Sequence, residues 1–295
     1  KNWLNNKKLG IALIGKQIDL TYPYEYLGNS PNALVDLLRG RSKIYERLIN
    51  AKKPMLILGE GAIARKNGLE IHDTAKQIAE KFNMIQDNWN GFNFLPAGIA
   101  RTSALDFGLY PKREESRISK ILNSIEKGKI KCIFLLSADE LSTELLKEKK
   151  DLFVIYQGSH GDSGARCADV ILPGCAYTEK DSIYVNLEGR VQFAKRAAHP
   201  PGKAMIDWEI INNLSQYVGS DLGFNNVQDL RNQMTGKYQY LSQIDTLEKF
   251  NWIKTRPNLI EDSDPFEEIF DNFYLTNPIA RASRTMIECS KLNKK

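Results

Sequence analysis

The chain has 295 residues, of which 42% are hydrophobic and 26% are charged, a balance typical of an ordinary globular protein with a sizeable core. Its net charge of +5 comes from 41 basic and 36 acidic residues mixed along the whole sequence, which argues against nucleic acid as a partner. No run approaches the roughly 20 apolar residues of a membrane-spanning helix, so we expect no direct membrane insertion.

The first hundred residues predict strands that alternate with helices. These elements occupy residues 9–14 (strand), 32–39 (helix), 43–50 (helix), 54–58 (strand) and 68–82 (helix). The strand over residues 9–14 has little sequence before it, and the aromatic, turn-rich residues 19–30 predict no partner for it. We therefore expect its neighbouring strands to come from another polypeptide, or from a missing N-terminal half.

The turn after the second strand places Gly59, Gly61 and Ala64 at a spacing close to that of dinucleotide-binding loops. The third glycine of that pattern is missing, and no convincing ribose-binding acid follows. Tight packing of the strand against the next helix is therefore the favoured interpretation of these glycines. A free-standing nucleotide-binding module stays open as an alternative function.

Residues 88–104 predict a loop and a short helix, and the alternation then resumes. The remaining elements occupy residues 116–127 (helix), 130–136 (strand), 140–149 (helix), 153–156 (strand), 169–172 (strand), 203–218 (helix) and 227–233 (helix). Strands that alternate with helices predict a parallel, Rossmann-like sheet and an α/β fold. We expect one α/β domain over residues 1–219, followed by a helical and extended tail over residues 220–295.

Residues 153–192 combine two short strands, a glycine-rich loop and a crowded polar segment. The polar residues and glycines of interest are Gly158, His160, Gly161, Asp162, Gly164, Glu179, Lys180, Asn186, Glu188 and Arg190. Ligands of open α/β sheets bind beyond the carboxyl ends of the strands, so a cofactor cradle would look like this, and so would a docking surface. We expect the loop glycines to meet backbone conformations that glycine adopts most readily.

His160, Asp162 and Ser163 have the residue types of a catalytic triad, but triad members converge from separate elements and these three are near neighbours in sequence. The sequence also lacks a GxSxG nucleophile turn. A metal site made of His160, Asp162 and Asp169 has suitable residue types and unsuitable spacing. Neither a hydrolase nor a metal centre is favoured.

Glu179 and Glu188 are candidates for paired catalytic carboxylates, but Lys180 and Arg190 lie beside them in sequence. Ion pairs that fix a turn are the more economical interpretation. The cysteines form no CxxC pair, so we expect free, mostly buried thiols and no iron–sulfur cluster or zinc. They are Cys132, Cys167, Cys175 and Cys289.

Motifs spread over the whole chain point to one family. They are YQGSHGD at residues 156–162, ADVILPG at 168–174, AYTEK at 176–180, YVNLEGRVQ at 184–192, PPGKAMIDW at 200–208 and FYLTNPIARASRTM at 273–286. Together they resemble the molybdopterin-oxidoreductase-like region of the large iron–sulfur subunit of respiratory complex I. Residues 3–31, with ALIG, DLTY and LGNSP, resemble the same subunit, and the tail is similar to its mitochondrial members.

The resemblance covers only the C-terminal part of that subunit and implies a sheet of the molybdopterin-oxidoreductase type. In the molybdenum enzymes, the motifs that correspond to ADVILPG, EK and NLEGR lie at the pterin cofactor, which the complex I subunit is understood to have lost. The resemblance therefore implies no catalytic residue, metal or cofactor in this chain, and a vestigial cradle. The cradle residues are Gly158, His160, Gly161, Asp162, Glu179, Lys180, Asn186, Glu188 and Arg190.

The implied function is structural: a docking part of the NADH-oxidising peripheral arm of complex I, a proton-translocating NADH:ubiquinone reductase. The implied partners are the N-terminal cluster-binding part of the same subunit, on the same or a separate polypeptide, and other peripheral-arm subunits that carry FMN and iron–sulfur clusters. The implied location is the matrix side of the mitochondrial inner membrane. The alternative is part of a molybdopterin-dinucleotide-dependent oxidoreductase that still binds its cofactor.

Overall fold

A computed structural model describes residues 9–98, 100–113, 117–141, 143–247, 251–254, 260, 262–268 and 272–292. The chain forms two compact units, which are Lys1–Thr102 with Glu248–Asp271 and Ser103–Leu247 with Asn272–Lys295. Both units contain parallel strand pairs between helices, which confirms the predicted α/β class. The start of the N-terminal motif region, residues 3–8, lies outside the described residues, and the domain limit at residue 219 stays a prediction.

The first strand of the first unit finds its partner within this chain. Strand β1 (Ala12–Ile14) pairs in parallel with β2 (Glu25–Gly28). The expectation that its neighbour comes from another polypeptide is therefore wrong for this pair. The pairing register shifts between Leu13 and Ile14, and Gly28 has a φ of 129°. Strand β2 is short and irregular, and it lies among residues typical of turns, so the sequence did not predict it.

A second parallel pair includes one strand from the residues for which a loop was predicted. Strand β3 (Leu56–Gly59) pairs with β6 (Phe92–Leu95), after a short antiparallel hairpin of β4 (Ile85–Gln86) and β5 (Trp89–Asn90). The loop prediction over residues 88–104 is wrong at this strand. Its asparagines and glycine are typical of turns, but the phenylalanines of β6 pack against the core of the unit.

One long helix supplies much of the core of the first unit. The helices are α1 (Asn32–Leu38), α2 (Tyr45–Ile49), α3 (Glu60–Ile63) and α4 (Gly68–Lys81). In α4, Ile71, Ala75 and Ile78 are fully buried, because their spacing of four and three residues places them on one helix face. That face packs in a cluster with residues of α1 and β3.

The second unit is built on a parallel sheet of three strands. Strands β7 (Cys132–Leu136), β8 (Phe153–Gly158) and β9 (Val170–Pro173) lie side by side in that order. Its first four helices are α5 (Arg101–Asp106), α6 (Ile118–Glu126), α7 (Thr143–Glu148) and α8 (Ser163–Arg166). Ile125 of α6 and Leu146 of α7 form a buried cluster with side chains of β7 and β8 on one face of the sheet.

The rest of the second unit is an antiparallel hairpin and a set of helices. The elements are β10 (Ser182–Val185), β11 (Val191–Ala194), α9 (Asp207–Tyr217), α10 (Val227–Lys237), α11 (Pro278–Ala282) and α12 (Arg284–Leu292). The Asn277 side chain accepts a hydrogen bond from the backbone N–H of Ala280, and Pro278 follows at the first helical position. This end of the predicted tail is therefore ordered by ordinary helix-start chemistry.

The structure gives information on the thiols, on membrane-spanning helices and on possible metal ligands. Cys175 is buried, but Cys132 is exposed and the other two cysteines are half-buried, so the prediction of mostly buried thiols is wrong. None of the helices in the described ranges is long and apolar enough to cross a membrane. Within the same ranges, no group of three or more histidine, cysteine or acidic side chains is placed to hold a metal ion.

The role of α4 can be tested with two substitutions on one helix. Ile78→Ala removes a fully buried side chain and is expected to lower the free energy of unfolding by about 2–5 kcal/mol. Leu69→Ala is the control, because Leu69 is exposed and its loss should change stability by less than about 0.5 kcal/mol. Urea unfolding of both variants is the measurement. Equal effects would contradict the described core.

Candidate functional site

A buried tyrosine organises the carboxyl ends of β7 and β8. The Tyr156 hydroxyl lies 3.1 Å from Asp139 Oδ2 and 3.1 Å from the backbone oxygen of His160. Its single proton can be donated to one of these acceptors at a time. The other oxygen of Asp139 accepts a hydrogen bond of 2.9 Å from the backbone N–H of Gly164, so the carboxylate ties β7 to the loop after β8.

The surroundings keep Tyr156 protonated. Burial raises the pKa of Tyr156 most, and the negative charge of Asp139 with its hydrogen bond raises it further. Asp162, also buried, contributes in the same direction. A phenol held neutral in this way is a hydrogen-bond donor and a packing element, and it is a poor base at neutral pH.

Two of the three loop glycines are required by this tyrosine. A Cβ atom on Gly158 would lie 2.6 Å from the Tyr156 hydroxyl oxygen, and one on Gly164 would lie 2.6 Å from the backbone oxygen of Ala138. A Cβ atom on Gly161 would have its nearest neighbour at 3.9 Å. None of the three has a positive φ in the left-handed region. The prediction that they meet glycine-only backbone conformations is therefore wrong, since close packing explains Gly158 and Gly164.

Asp162 is neutralised by an arginine from the C-terminal helices. Arg281 Nε donates to Asp162 Oδ2, and Arg281 Nη1 donates to the backbone oxygen of Leu275 at 3.2 Å. Arg281 Nη2 lies 3.6 Å from a carboxylate oxygen of the exposed Glu140. Asp162 is buried and Arg281 is a quarter exposed, so this ion pair is only partly screened by water.

Lys180 belongs to a second cluster, at the start of α9. The fully buried Gln157 donates from Nε2 to Asp207 Oδ1 at 3.1 Å, and Lys180 Nζ donates to Asp207 Oδ2. Lys180 is therefore paired with Asp207 and not with its sequence neighbour Glu179. Glu179 accepts a hydrogen bond of 3.0 Å from the backbone N–H of Ala176 and so closes its own turn.

The turn between β10 and β11 holds the last three cradle residues. Asn186 Oδ1 accepts hydrogen bonds of 3.0 Å from the backbone N–H groups of Glu188 and Arg190. Arg190 Nε lies 3.4 Å from Glu188 Oε2, and its Nη1 donates to the backbone oxygen of Asp245 at 2.6 Å. Gly189 has a φ of 83°, which a turn of this shape requires. The expected ion pair is found between Arg190 and Glu188, whereas among the described residues Lys180 pairs with Asp207 and not with Glu179.

No catalytic set is assembled from the predicted candidates. His160 Nδ1 lies 3.0 Å from the hydroxyl of Ser159, and within the described ranges no hydrogen bond joins the His160 ring to Ser163. Asp169 accepts a hydrogen bond of 2.7 Å from the backbone N–H of Val154, on β8. These contacts of His160 and Asp169 fix local structure.

The structure divides the cradle residues into three groups. The loop after β8 is joined to Asp139 and Arg281, and Lys180 is joined to Asp207. The hairpin turn is held by its own hydrogen bonds and by the bond from Arg190 to the backbone oxygen of Asp245. Among the residues that the structure describes, no hydrogen bond or ion pair links the hairpin turn to either of the other groups. Arg281 was not predicted as a site residue, although it lies within the family-like motif of residues 273–286 and follows an Asn-Pro helix start.

Comparison with known families decides the assignment. Residues 1–217 match the family described as molybdopterin oxidoreductase. The chain belongs to the molybdopterin oxidoreductase family. Residues 257–289 also match the family described as the C-terminal region of the NADH-ubiquinone oxidoreductase G subunit, and this segment includes Arg281.

Individual relatives agree with both matches. The chain is 39% identical over 291 residues to the NADH-ubiquinone oxidoreductase 75 kDa subunit of Reclinomonas americana, a match that covers 95% of this chain and 40% of the relative. It is 34% identical over 304 residues to the mitochondrial NADH-ubiquinone oxidoreductase 78 kDa subunit of Neurospora crassa, covering 100% of this chain and 39% of the relative. The chain therefore spans about two fifths of the length of the curated relatives it matches.

An anionic pterin dinucleotide would meet cradle cations that already have acidic partners among the residues that the structure describes. Such a ligand needs cations and N–H donors that are free to receive its phosphate charge. Arg281 and Lys180 are each paired with an aspartate, and Arg190 with an adjacent glutamate and a backbone oxygen. The second unit also has a cavity of about 250 Å³, but its lining includes the carboxylates of Asp181 and Glu209 and neither lysine nor arginine.

The packing of the loop against the tyrosine can be tested at two glycines. Gly164→Ala would force a Cβ atom to within 2.6 Å of a backbone oxygen, so we expect a loss of about 1–3 kcal/mol in the free energy of unfolding. Gly161→Ala is the matched control, because its Cβ atom would meet only an ordinary contact. Urea unfolding of both variants distinguishes them. A Gly164→Ala protein as stable as the control would refute the close packing.

The raised pKa of Tyr156 predicts a pH dependence of stability. The folded state holds the phenol proton more tightly than the unfolded chain, so stability falls as pH rises above about 10. Tyr156→Phe removes this loss. At about pH 8 the variant is expected to be less stable than the unchanged protein by about 1 kcal/mol, because Asp139 loses a hydrogen bond. By about pH 11 this difference should shrink or reverse, because only the unchanged protein loses stability as the pH rises. Thermal unfolding across this pH range is the measurement, and a constant difference would contradict the prediction.

Proposed function

We propose that this chain is the C-terminal part of the large iron–sulfur subunit of respiratory complex I and acts there as a structural docking element. The observation that carries the proposal is the similarity over 95% of the chain to a protein named NADH-ubiquinone oxidoreductase 75 kDa subunit. The match of residues 257–289 to a family named for the C-terminal region of a complex I subunit supports the same position within the large subunit.

The internal pairing of charges supports a structural role over a catalytic one. The carboxylates of Asp162 and Asp207 face the cations of Arg281 and Lys180, and these pairs join loops and helices to the ends of the strands. Groups engaged in this way stabilise the fold and are not available to bind an anionic substrate. We propose that the chain carries no pterin cofactor, and that FMN and iron–sulfur clusters belong to other parts of the complex.

The proposed place of action follows from the same relatives. The relative from Neurospora crassa is named as a mitochondrial subunit of NADH-ubiquinone oxidoreductase. We propose that this chain is attached to the matrix side of the mitochondrial inner membrane through other subunits of the peripheral arm. Its partners there would include the cluster-binding part of its own subunit.

Purification of the tagged chain from its own cells tests this proposal. We expect it to co-purify with iron–sulfur subunits and with rotenone-sensitive NADH:ubiquinone reductase activity. Elemental analysis of the same preparation is expected to give iron without stoichiometric molybdenum. Molybdenum at one atom per chain would indicate a molybdenum enzyme instead. A preparation that does not oxidise NADH would indicate an assembly unrelated to complex I.

A second test separates a structural role from a catalytic one. Arg281→Gln leaves the buried Asp162 without its cation, which is expected to cost about 2–3 kcal/mol because the arginine is a quarter exposed. The amount of assembled complex should fall, while the rate of NADH oxidation per assembled complex should stay unchanged. Arg284→Gln, at an exposed position three residues further on, is the control for loss of charge.

Quantitative blue-native gels give the amount of complex, and NADH:ferricyanide assays give the rate per complex. A fall in the rate per complex at a constant amount of complex would show that Arg281 acts in the chemistry. That result would remove the structural proposal. Equal losses of assembly in both variants would mean that loss of the ion pair with Asp162 is not the cause of the reduced amount of complex.

A further inference from the structure

One face of the three-stranded sheet in the second unit is apolar and exposed. Residues paired in register on parallel strands point to the same side, and one such row crosses the whole sheet as Phe134, Ile155 and Val170. Cys132 and Phe153 form the row before it, and Leu136 stands in the row after it. Four of these side chains are between 37% and 53% exposed: Phe134, Leu136, Phe153 and Val170.

The opposite face of the same sheet is covered by helices of this chain over β7 and β8, whereas Ile171 of β9, which pairs with Tyr156 and points to that side, is 53% exposed. Leu135, Val154 and Tyr156 point to that side and are buried against residues of α6 and α7. On the exposed face, Gln157 is fully buried, where it contacts Asp207 at the start of α9. Cover on this face therefore begins beside Gln157 at the carboxyl end of β8, and it leaves the two earlier rows and Leu136 of β7 open.

Parallel sheets occur almost only where both faces are covered, so we expect a further layer to pack on the exposed face of this sheet. An apolar patch of this kind on a folded protein marks an interaction surface. The patch is three strands wide, or about 10 Å, and about 13 Å long along β7. These dimensions match one α-helix with a diameter of about 10 Å and a contact length of roughly nine residues.

We propose that this face, which we call the open sheet face (Cys132, Phe134, Leu136, Phe153, Ile155 and Val170), is covered by an amphipathic helix from the part of the subunit outside these 295 residues. The relatives supply the reason for this choice of partner. About three fifths of each relative lies outside the matched segment, so the family carries a large portion of the same subunit that can furnish the missing layer. This inference rests on the proposed function and names the surface through which the docking takes place.

Photo-crosslinking within the intact complex tests the proposed partner. The photoreactive amino acid p-benzoylphenylalanine at position 134 closely resembles the native phenylalanine, so the variant is expected to assemble. After illumination, mass spectrometry should find its adducts on the portion of the large subunit outside residues 1–295. The same probe at the 90% exposed Tyr217 is the control and should give at least tenfold fewer adducts with that portion.

Every other pattern of adducts counts against the inference. Adducts on a different complex I subunit, on a second copy of this chain, or on other residues of this chain would overturn it. Absence of adducts would do the same. If the chain is not found in complex I, the proposed function fails together with this inference, whereas misplaced adducts in an active complex remove the inference alone.

Two measurements on the same face do not depend on the probe. Cys132 is exposed in this chain, so in the intact complex its alkylation by iodoacetamide should be at least tenfold slower than after denaturation. Phe134→Glu should lower the amount of assembled complex at least fivefold, while Phe134→Leu and Tyr217→Glu leave it unchanged. Rapid alkylation of Cys132 in the intact complex, or normal assembly of Phe134→Glu, would show that the open sheet face is not an interface.

Discussion

The hydrogen bond between the Tyr156 hydroxyl and Asp139 is the contact on which the rest of the second unit depends. It joins β8 to the segment that follows β7, and the second oxygen of Asp139 accepts a hydrogen bond from the backbone N–H of Gly164 in α8. The tyrosine ring occupies the space that larger residues at two loop positions would need. The short, glycine-rich loop is thus shaped by the need to bury a phenol with a hydrogen-bond partner.

Five of the described parallel strands (β1, β3, β7, β8 and β9) and the long amphipathic helices could be predicted, because runs or repeats of apolar residues mark them in the sequence. The strands Glu25–Gly28 and Phe92–Leu95 could not, since each is four residues long and lies among turn formers. The cradle motifs located Asp162 and Lys180, but not their ionic partners. Arg281 and Asp207 lie on helices that are distant in sequence from their partners. Sequence spacing alone does not predict such long-range ion pairs.

The same contacts explain why residues typical of a cofactor site occur in a chain proposed to be structural. A loop that carries a buried carboxylate needs a cation, and a cofactor-binding fold already concentrates both kinds of side chain at its strand ends. Once these charges are paired with each other, each partner is costly to remove, because the other would be left buried and alone. Such residues can thus be retained by folding stability after a chemical role has ended.

The partners Asp162 and Arg281 are 119 residues apart in the chain. During synthesis, the three-strand sheet is complete long before the helix that carries Arg281 leaves the ribosome. In that interval Asp162 has no contact with Arg281 and must stay hydrated, because burial of an unpaired carboxylate is costly. The C-terminal helices therefore add their contact to this loop late in synthesis. A chain that ends before Arg281 would contain the three strands and would leave Asp162 without its cation.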